Sequence, residues 1–373
     1  MENNTNQKAK KRDVNIELLR IVAILMVTTI HCIDNGLIMQ NANNLSVYNY
    51  VFVNFLRACA GIANGLFLII IGYYQINNKF NLKKIFNLWG KTLFYSILIF
   101  IVLNLFGYKT YLLQSILPIT TGVYWFITAY IALYFISPLL NIILNKLTKN
   151  QFKFLVILLV IMFGILRIVL ITETFIGNLF PVIMYYIIGA YLRKFVEIKP
   201  KQKYFTKYLL VAIIFACLNI TVSTLIKILP QNIVLVVLFN INNKFLDFSN
   251  ILIIIMAVLL FMKFKTIQIK PTKLSKFITL ISPSVLSIYI IQENIHFRSL
   301  WRYDGVMNYG NSLLMIPYTF LLIIAVFIIC LLIDLIRRGI YSLLNKIPII
   351  SKMKTKLNQQ IDKINIKVNN YIA

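Results

Sequence analysis

The sequence contains few charged residues, and few of those are acidic. Charged residues make up 13% of the 373 positions, with 38 Lys and Arg against 11 Asp and Glu. A soluble domain carries about 25% charged residues, and a chain that is 60% hydrophobic could not hide so much apolar surface from water. A bilayer accepts that surface because it is itself an apolar solvent. The composition therefore excludes an ordinary soluble protein and predicts an integral membrane protein.

Cysteine and histidine are also scarce. The four cysteines and two histidines have no metal or redox spacing, so neither a metal site nor a disulfide framework is predicted. The N-terminal apolar segment is too long for a signal-peptide core and lacks a small-residue cleavage site, so we expect it to remain as the first spanning helix. The chain also lacks an internal repeat and a soluble domain insert.

Long apolar runs fill most of the chain. Runs that cover a hydrocarbon core of ~30 Å predict membrane-spanning helices. The expected fold is therefore all-α, a polytopic membrane protein with about ten spanning helices. The ten windows lie near residues 16–38, 50–74, 86–106, 123–145, 151–171, 178–195, 206–228, 246–263, 278–297 and 312–336.

The basic residues are distributed as a membrane topology requires. A net charge of +27 would suggest nucleic acid if it formed one basic face, but the Lys and Arg residues fall in short clusters between apolar runs, which argues against a nucleic-acid partner. Thirty of them lie in alternate segments that begin with the N-terminus, and only five lie in the segments between. The positive-inside rule then places both termini in the cytoplasm. We expect the protein to lie in the bacterial plasma (inner) membrane.

The charge pattern also divides the chain into three parts. Residues 1–15 form a basic cytoplasmic N-terminus, residues 16–340 form the membrane domain, and residues 341–373 form a basic tail. Apolar residues of the tail recur at helical spacing among lysines. The tail is therefore predicted to be an amphipathic helix on the inner membrane surface.

The first predicted span carries two ionisable residues that share one face. Arg20 and His31 are eleven residues apart, which brings them to the same side of a helix, separated by ~16 Å along its axis. Glu17 lies one turn before Arg20 and can pair with it. Ionisable groups inside a bilayer cost several kcal/mol and usually mark function. The alternative is that Arg20 snorkels to the interface and His31 donates one interhelical hydrogen bond.

Six segments, taken together and in their order along the chain, resemble the acyltransferase family 3 membrane proteins. That family includes bacterial O-acetyltransferases of cell-surface polysaccharides. No single segment is specific, but the ordered set spans nearly the whole chain. The segments are Glu17-Leu18-Leu19-Arg20 with His31, the apolar run ending in Ile71-Gly72-Tyr73, Tyr124-Trp125-Phe126, Ser137-Pro138, Ile188-Gly189-Ala190-Tyr191 and Tyr289-Ile290-Ile291-Gln292-Glu293-Asn294.

The resemblance implies acyl transfer from cytoplasmic acyl-CoA to a sugar hydroxyl of a cell-surface or lipid-linked glycan. Acetyl-CoA is the expected co-substrate, and no permanently bound cofactor is expected. By position, His31 matches the essential histidine of the family and Arg20 its paired arginine. The sequence departs from the family where Ile71 replaces a serine and Gln292 replaces a second histidine. His296 does not fill that position, so His31 is the single candidate for the chemistry.

The candidate catalytic residues are His31 and Glu293. A thioester is already activated, so the catalyst needs a base for the acceptor hydroxyl and a donor for the developing oxyanion. His31 would either deprotonate the hydroxyl or first accept the acyl group itself. Glu293 would orient His31 or bind a sugar hydroxyl, unless it is only an interface carboxylate paired with Arg298.

Two further groups complete the candidate site, and each has a structural alternative. Cations that would meet the phosphates of acyl-CoA are equally explained by positive-inside topology or by structural pairing. Aromatic and polar residues that would bind the sugar also fit an aromatic belt at the outer interface. The first group is Arg20, Arg57, Lys83 and Lys84, and the second is Tyr124, Trp125, Asn294 and Arg298. Arg167 is a further intramembrane arginine that could line the pocket and meet a phosphate, or could be paired structurally.

Other functions remain compatible with the sequence. A transporter or flippase of a lipid-linked sugar would also use many spans and buried arginines, although the chain lacks the paired broken helices and repeats of such proteins. A glycan polymerase would be expected to carry a long outside loop. A succinyltransferase of the same family, or a catalytically silent relative that acts as a sensor or scaffold, would have the same architecture.

Overall fold

The computed structural model describes residues 13–36, 38–166, 178–230, 233–298 and 304–372. These residues form helices and no strand, which confirms the all-α prediction. Most of the predicted basic N-terminus and Arg167 lie outside the described residues. The helices are α1 Val14–Asp34, α2 Val47–Ala60, α3 Ala63–Gln75, α4 Leu82–Leu105, α5 Leu112–Ile116, α6 Trp125–Lys146, α7 Lys149–Val160, α8 Leu179–Phe195, α9 Tyr204–Ile228, α10 Ile233–Phe245, α11 Ile251–Thr266, α12 Lys273–Ile281, α13 Val285–Glu293, α14 Asp304–Met307, α15 Met315–Leu344 and α16 Pro348–Ile372.

Seven helices or helix pairs in the described part of the chain are long and apolar enough to cross a membrane. Two of these spans are broken, one between α2 and α3 and the other by a 3₁₀ turn at Ser282–Ser284 between α12 and α13. Windows five, six and eight also contain helices, but α7, α8 and α11 are shorter, with 12, 17 and 16 residues. The protein is thus a multi-pass membrane protein, while the total of ten spans and the orientation of the termini stay predictions.

The outward faces of the long helices are apolar, as lipid contact requires. On α9, Leu210, Ile213 and Ile214 are 62%, 60% and 47% exposed. Water would penalise such a surface by roughly 25 cal/mol per Å², whereas lipid chains do not. Two polar residues of α9, Asn219 and Ser223, are instead fully buried.

Two glycines allow α3 and α8 to pack in backbone contact. A Cβ atom added at Gly72 would overlap the carbonyl oxygen of Tyr186, and one added at Gly189 would overlap that of Ile69. Small residues permit this close approach between helices in membranes. The close contact between α3 and α8 therefore explains why Gly72 and Gly189, two residues of the family-like segments, are glycines.

Polar side chains satisfy the backbone where helices begin or bend. Thr148 and Gln151 form a capping box at the start of α7, which satisfies otherwise free N–H groups. In α6, Pro138 has no N–H for the carbonyl of Tyr134, and the Ser137 hydroxyl donates to that carbonyl instead at 2.8 Å. The Ser-Pro pair is thus accommodated within a continuous helix.

The start of α4 differs from the sequence prediction. The helix begins at Leu82 rather than near residue 86, because the Asn81 side chain caps it by accepting from the backbone N–H of Lys83 at 2.9 Å. Lys91, which was counted with the cytoplasmic basic cluster although the predicted window contained it, lies in the third turn of this spanning helix.

The tail helix α16 is attached through specific polar contacts. The Asn365 side chain accepts from the backbone N–H of Leu82 at 2.8 Å and donates to Asn81 at 3.1 Å. Lys83 pairs with Asp362 at 2.6 Å. The helical prediction for the tail is therefore confirmed, and its location on the inner membrane surface stays a prediction.

The two ends of the bundle can be named from contacts that define them. At one end, called here the Asp13 end, Asp13 receives hydrogen bonds from Tyr74 and from Lys265, the latter at 3.0 Å. Burial acts to raise the pKa of Asp13, but these bonds and the charge of Lys265 hold it below its usual value. The other end, called here the Asn35 end, contains the C-terminal ends of α1 and α13.

Candidate active site

The centre of the candidate site is a histidine–carboxylate pair between α1 and α13. His31 Nε2 lies 3.2 Å from Glu293 Oε2, and both side chains are mostly buried. An ionised Glu293 places the imidazole proton on Nε2, which leaves the lone pair on Nδ1. Nδ1 has no hydrogen-bond partner among the described residues. A carboxylate in this position orients an imidazole and stabilises its protonated form.

Glu293 is itself held by two other side chains. Asn35 donates to the same carboxylate oxygen, Oε2, at 3.2 Å, and Arg298 donates to Oε1 at 3.4 Å. Glu293 thus contacts His31 as well as Arg298, and its role in catalysis stays a prediction. Charged hydrogen bonds of this kind fix the orientation of a carboxylate.

A polar chamber of about 240 Å³ surrounds the pair at the Asn35 end. Amides, two carboxylates and one indole ring line it, which is a typical surface for binding hydroxyl groups. Trp125 is the predicted sugar-binding residue that lines this chamber. The lining residues are Val27, Ile30, His31, Asp34, Asn35, Asn64, Trp125, Tyr289 and Glu293.

A larger cavity of about 480 Å³ lies on the Asp13 side of the chamber. Its wall is mainly apolar, with three cations and no carboxylate. Arg20 and Lys84 are the predicted cofactor-binding residues in its lining. The lining residues are Arg20, Ile24, Val27, Asn64, Phe67, Ile71, Lys84, Asn87, Leu88, Lys91, Phe126, Ile127, Tyr130, Ser282, Pro283, Val285, Leu286 and Tyr289.

The two spaces adjoin at a wall formed by three shared residues, Val27, Asn64 and Tyr289. The Tyr289 ring lies 5.9 Å from the His31 ring. On α1, lining residues recur every three or four positions from Arg20 to Asn35, so one helix face borders both spaces. The shared face predicted for Arg20 and His31 is present, with one residue in each space.

The cations of the cavity are positioned by different means. Arg20 pairs with Glu17 at 3.1 Å, and Ser282 donates to Glu17 from the 3₁₀ turn. Lys84 donates to Gln75 at 3.0 Å and lies over the Tyr134 ring. These contacts fix two positive charges at one end of an apolar space. Their roles in binding remain predictions.

The other predicted site residues lie outside both linings. Lys83 is paired with Asp362 of the tail, and Arg57 with Asp34 at 2.8 Å. Tyr124 is fully buried and accepts a hydrogen bond from Asn294 at 3.0 Å. Lys83 and Arg57 are thus each paired with a carboxylate, and Tyr124 and Asn294 bind each other. The binding roles predicted for these four residues stay predictions.

His296 lies in a separate environment. Its Nε2 atom is 3.0 Å from Ser115 Oγ, and burial lowers the pKa of the imidazole. It lines neither the cavity nor the chamber. The structure therefore leaves His31 as the imidazole in the lining of the candidate site.

Sequence reasoning did not single out several polar residues that line these spaces, among them Asn64, Tyr289 and Lys91. Asn64 and Tyr289 lie inside apolar runs, where a single amide or hydroxyl is common and gives no distinct signal. Lys91 was counted with the basic cluster of the cytoplasmic segment, although it lies within the predicted window 86–106. The signal that could have found it is its spacing of seven residues, two turns, from Lys84.

A membrane-embedded imidazole paired with a carboxylate, between a basic cavity and a polar chamber, is an arrangement suited to group transfer. The chain matches the profile of acyltransferase family 3, described as an acyltransferase domain, over residues 13–335. It therefore belongs to that family and is a membrane acyltransferase. No curated protein and no solved structure matches the chain significantly.

Proposed function

We propose that the protein is an O-acyltransferase that moves an acyl group, first of all acetyl, from cytoplasmic acyl-CoA to a hydroxyl of a cell-surface or lipid-linked glycan in the bacterial inner membrane. The observation that carries this proposal is the position of His31. It lines the polar chamber, which shares its inner wall with a cavity lined by cations.

The cavity suits acyl-CoA as the donor. Arg20, Lys84 and Lys91 are its charged lining residues, so a polyanion is favoured there. Arg20 and His31 are eleven residues apart on α1, or ~16 Å along the helix axis. An extended pantetheine arm has a comparable length, so phosphates held near Arg20 would bring the thioester to the imidazole. The Asp13 end is then the cytoplasmic side.

The proposed reaction uses the free nitrogen of His31. The acceptor hydroxyl gives its proton to Nδ1 while its oxygen attacks the thioester carbonyl. The carbon–sulfur bond then breaks, and the leaving thiolate takes the proton to form free CoA. Glu293 stabilises the imidazolium that exists between these steps. The products are an O-acyl ester and CoA.

Asn64 is the proposed donor to the oxyanion of this reaction. It lines both spaces at their shared wall, and its amide makes no hydrogen bond with any described residue. A carbonyl that meets a hydroxyl at that wall would lie beside an unengaged N–H donor. Donors aimed at developing negative charge are usually the largest single contribution to acyl-transfer catalysis.

The chamber suits a sugar hydroxyl as the acceptor. Trp125 offers a flat apolar ring, and Asn35 and Asp34 offer hydrogen-bond donors and acceptors around it. The volume of about 240 Å³ corresponds to roughly eight water molecules, which is enough for one sugar ring. The acylated position would therefore be on a single residue inserted into the chamber.

Transfer of radiolabelled acetyl from acetyl-CoA into membrane glycan tests the proposal. The wild type and His31→Ala would be compared at matched expression, with CoA binding measured on both purified proteins. Label incorporated by the wild type and lost in the variant, with CoA still bound by both, is the expected result. Label that persists in the variant would remove His31 from the mechanism, and failure of the wild type with acetyl and succinyl donors would reject the acyltransferase reaction.

An acyl-histidine route would use the same nitrogen, and one further measurement separates it from direct transfer. Brief incubation with labelled acetyl-CoA in the absence of acceptor, followed by acid quenching, would leave label on the protein only in the two-step route. Direct transfer predicts no protein-bound label above the level of His31→Ala.

A further inference from the structure

Lys91 is an intramembrane cation that borders the larger cavity. It lies in the third turn of α4, lines the 480 Å³ cavity and is half-buried. Among the described residues it makes no hydrogen bond and no ion pair. An ammonium group at this depth costs several kcal/mol, and such residues usually pair with another group or with a ligand.

One acidic residue, Asp334, attracts Lys91 electrostatically without forming a hydrogen bond or an ion pair with it. Asp334 is fully buried, and its Oδ1 atom pairs with Arg337 at 2.8 Å and accepts from the Tyr95 hydroxyl at 2.6 Å. No described carboxylate therefore binds the ammonium group of Lys91 directly. The ammonium group borders the cavity, whose described lining contains no carboxylate.

Helix geometry sets the depth of each cation. Lys84 and Lys91 are two turns apart on α4, or ~10 Å along the axis, and side chains tilt toward a helix N-terminus. Both α1 and α4 begin at the Asp13 end, so Lys91 leans back toward the level of Arg20. Lys84 lies nearer the mouth of the cavity.

We infer that Lys91, together with Arg20, binds the diphosphate of acyl-CoA, while Lys84 binds the 3′-phosphate nearer the mouth. This inference rests on the proposed use of acyl-CoA as donor. The diphosphate carries the pantetheine arm, so it must lie at the inner pair of cations if the thioester is to reach His31. The nucleotide then remains at the Asp13 end, beside Lys84.

Binding of three thioesters to the purified protein in detergent tests this assignment. The probes are acetyl-CoA, 3′-dephospho-acetyl-CoA and S-acetyl-pantetheine, which remove the phosphates stepwise. Lys91→Gln should weaken binding of the first two by about tenfold each and leave the third unchanged. Lys84→Gln should weaken acetyl-CoA alone. Lys79→Gln is the matched control, since Lys79 is exposed at the same end and lines neither space.

Three outcomes would overturn the assignment. Unchanged acetyl-CoA affinity in Lys91→Gln would show that the lysine binds no phosphate. An equal loss for S-acetyl-pantetheine would indicate a change in cavity shape instead of a lost charge contact, and a thermal unfolding midpoint compared with Lys79→Gln would confirm it. Failure of the wild type to bind any CoA thioester would reject the proposed donor itself, which is a distinct result.

Discussion

The cavity and the chamber differ in charge, size and wall chemistry, although one face of α1 borders both. The cavity is twice as large, about 480 against 240 Å³, and its charged lining residues are all cations. The chamber contains the carboxylates Asp34 and Glu293, and the arginines that pair with them lie outside its lining. A polyanionic donor therefore fits only the first space, and a hydroxyl-rich acceptor fits the second.

In the proposed function, one face of α1 therefore borders the sites of two substrates of unlike polarity. The shared wall of Val27, Asn64 and Tyr289 is the region where the two substrates would meet. The thioester and the acceptor hydroxyl would then meet at that wall, while the phosphates of the donor stay near the Asp13 end.

The largest effect is expected from Glu293→Gln, which alters the chamber alone. The amide keeps the shape but cannot stabilise the imidazolium, so kcat should fall by about 10³-fold with acetyl-CoA binding unchanged. Steady-state transfer and donor binding on purified protein provide the two readouts. Glu197→Gln is the control because Glu197 is an exposed carboxylate. A loss of donor binding in Glu293→Gln would contradict the separation of the two spaces.

A smaller loss is expected from Asn64→Ala at the shared wall. Removal of one oxyanion donor should lower kcat by about 10²-fold with little change in the KM for acetyl-CoA. Asn64→Asp should lower kcat at least as far, since a carboxylate would repel the developing oxyanion. A rise in KM without a change in kcat would show that Asn64 only binds the ground state.

Gly72→Ala should disturb both spaces through their common support. The added Cβ would overlap the Tyr186 carbonyl and force apart α3 and α8, at a cost of about 2 kcal/mol. A lower thermal unfolding midpoint in detergent, with weaker donor binding and slower transfer, is the expected result. Gly90→Ala on α4 meets no atom within 4 Å and should leave all three measurements near the wild-type values.

The smallest effect is expected from the tail. Asn365→Ala removes the acceptor for the Leu82 N–H at the start of α4, at a cost of about 1 kcal/mol. Because Lys84 lies in that first turn, acetyl-CoA binding should weaken about threefold while acceptor affinity stays constant. Asn370→Ala, at an exposed position of the same helix, is the control. An effect on the acceptor alone would contradict this coupling.

The sequence was sufficient for the elements that depend on local pattern. Apolar runs predicted the helices, and an eleven-residue spacing placed Arg20 and His31 on one face. The contact between Lys83 and Asp362 could not be predicted from the sequence, because it joins positions 279 residues apart. Lys91 was counted with the cytoplasmic basic cluster because it follows three other lysines closely, although its position lies inside the predicted window 86–106. The position of Asn64 in the linings of both the cavity and the chamber depends on the tertiary fold, so the sequence pattern does not indicate it.

Sided transfer in membrane vesicles tests the central claim most directly. Wild type and His31→Ala would be placed in vesicles of known orientation, with labelled acetyl-CoA on one side and an impermeant glycan acceptor on the other. We predict labelled ester only when acetyl-CoA faces the Asp13 end and the acceptor faces the Asn35 end, and none with His31→Ala. Equal transfer with both substrates on the same side, or transfer in the reverse arrangement, would contradict the account.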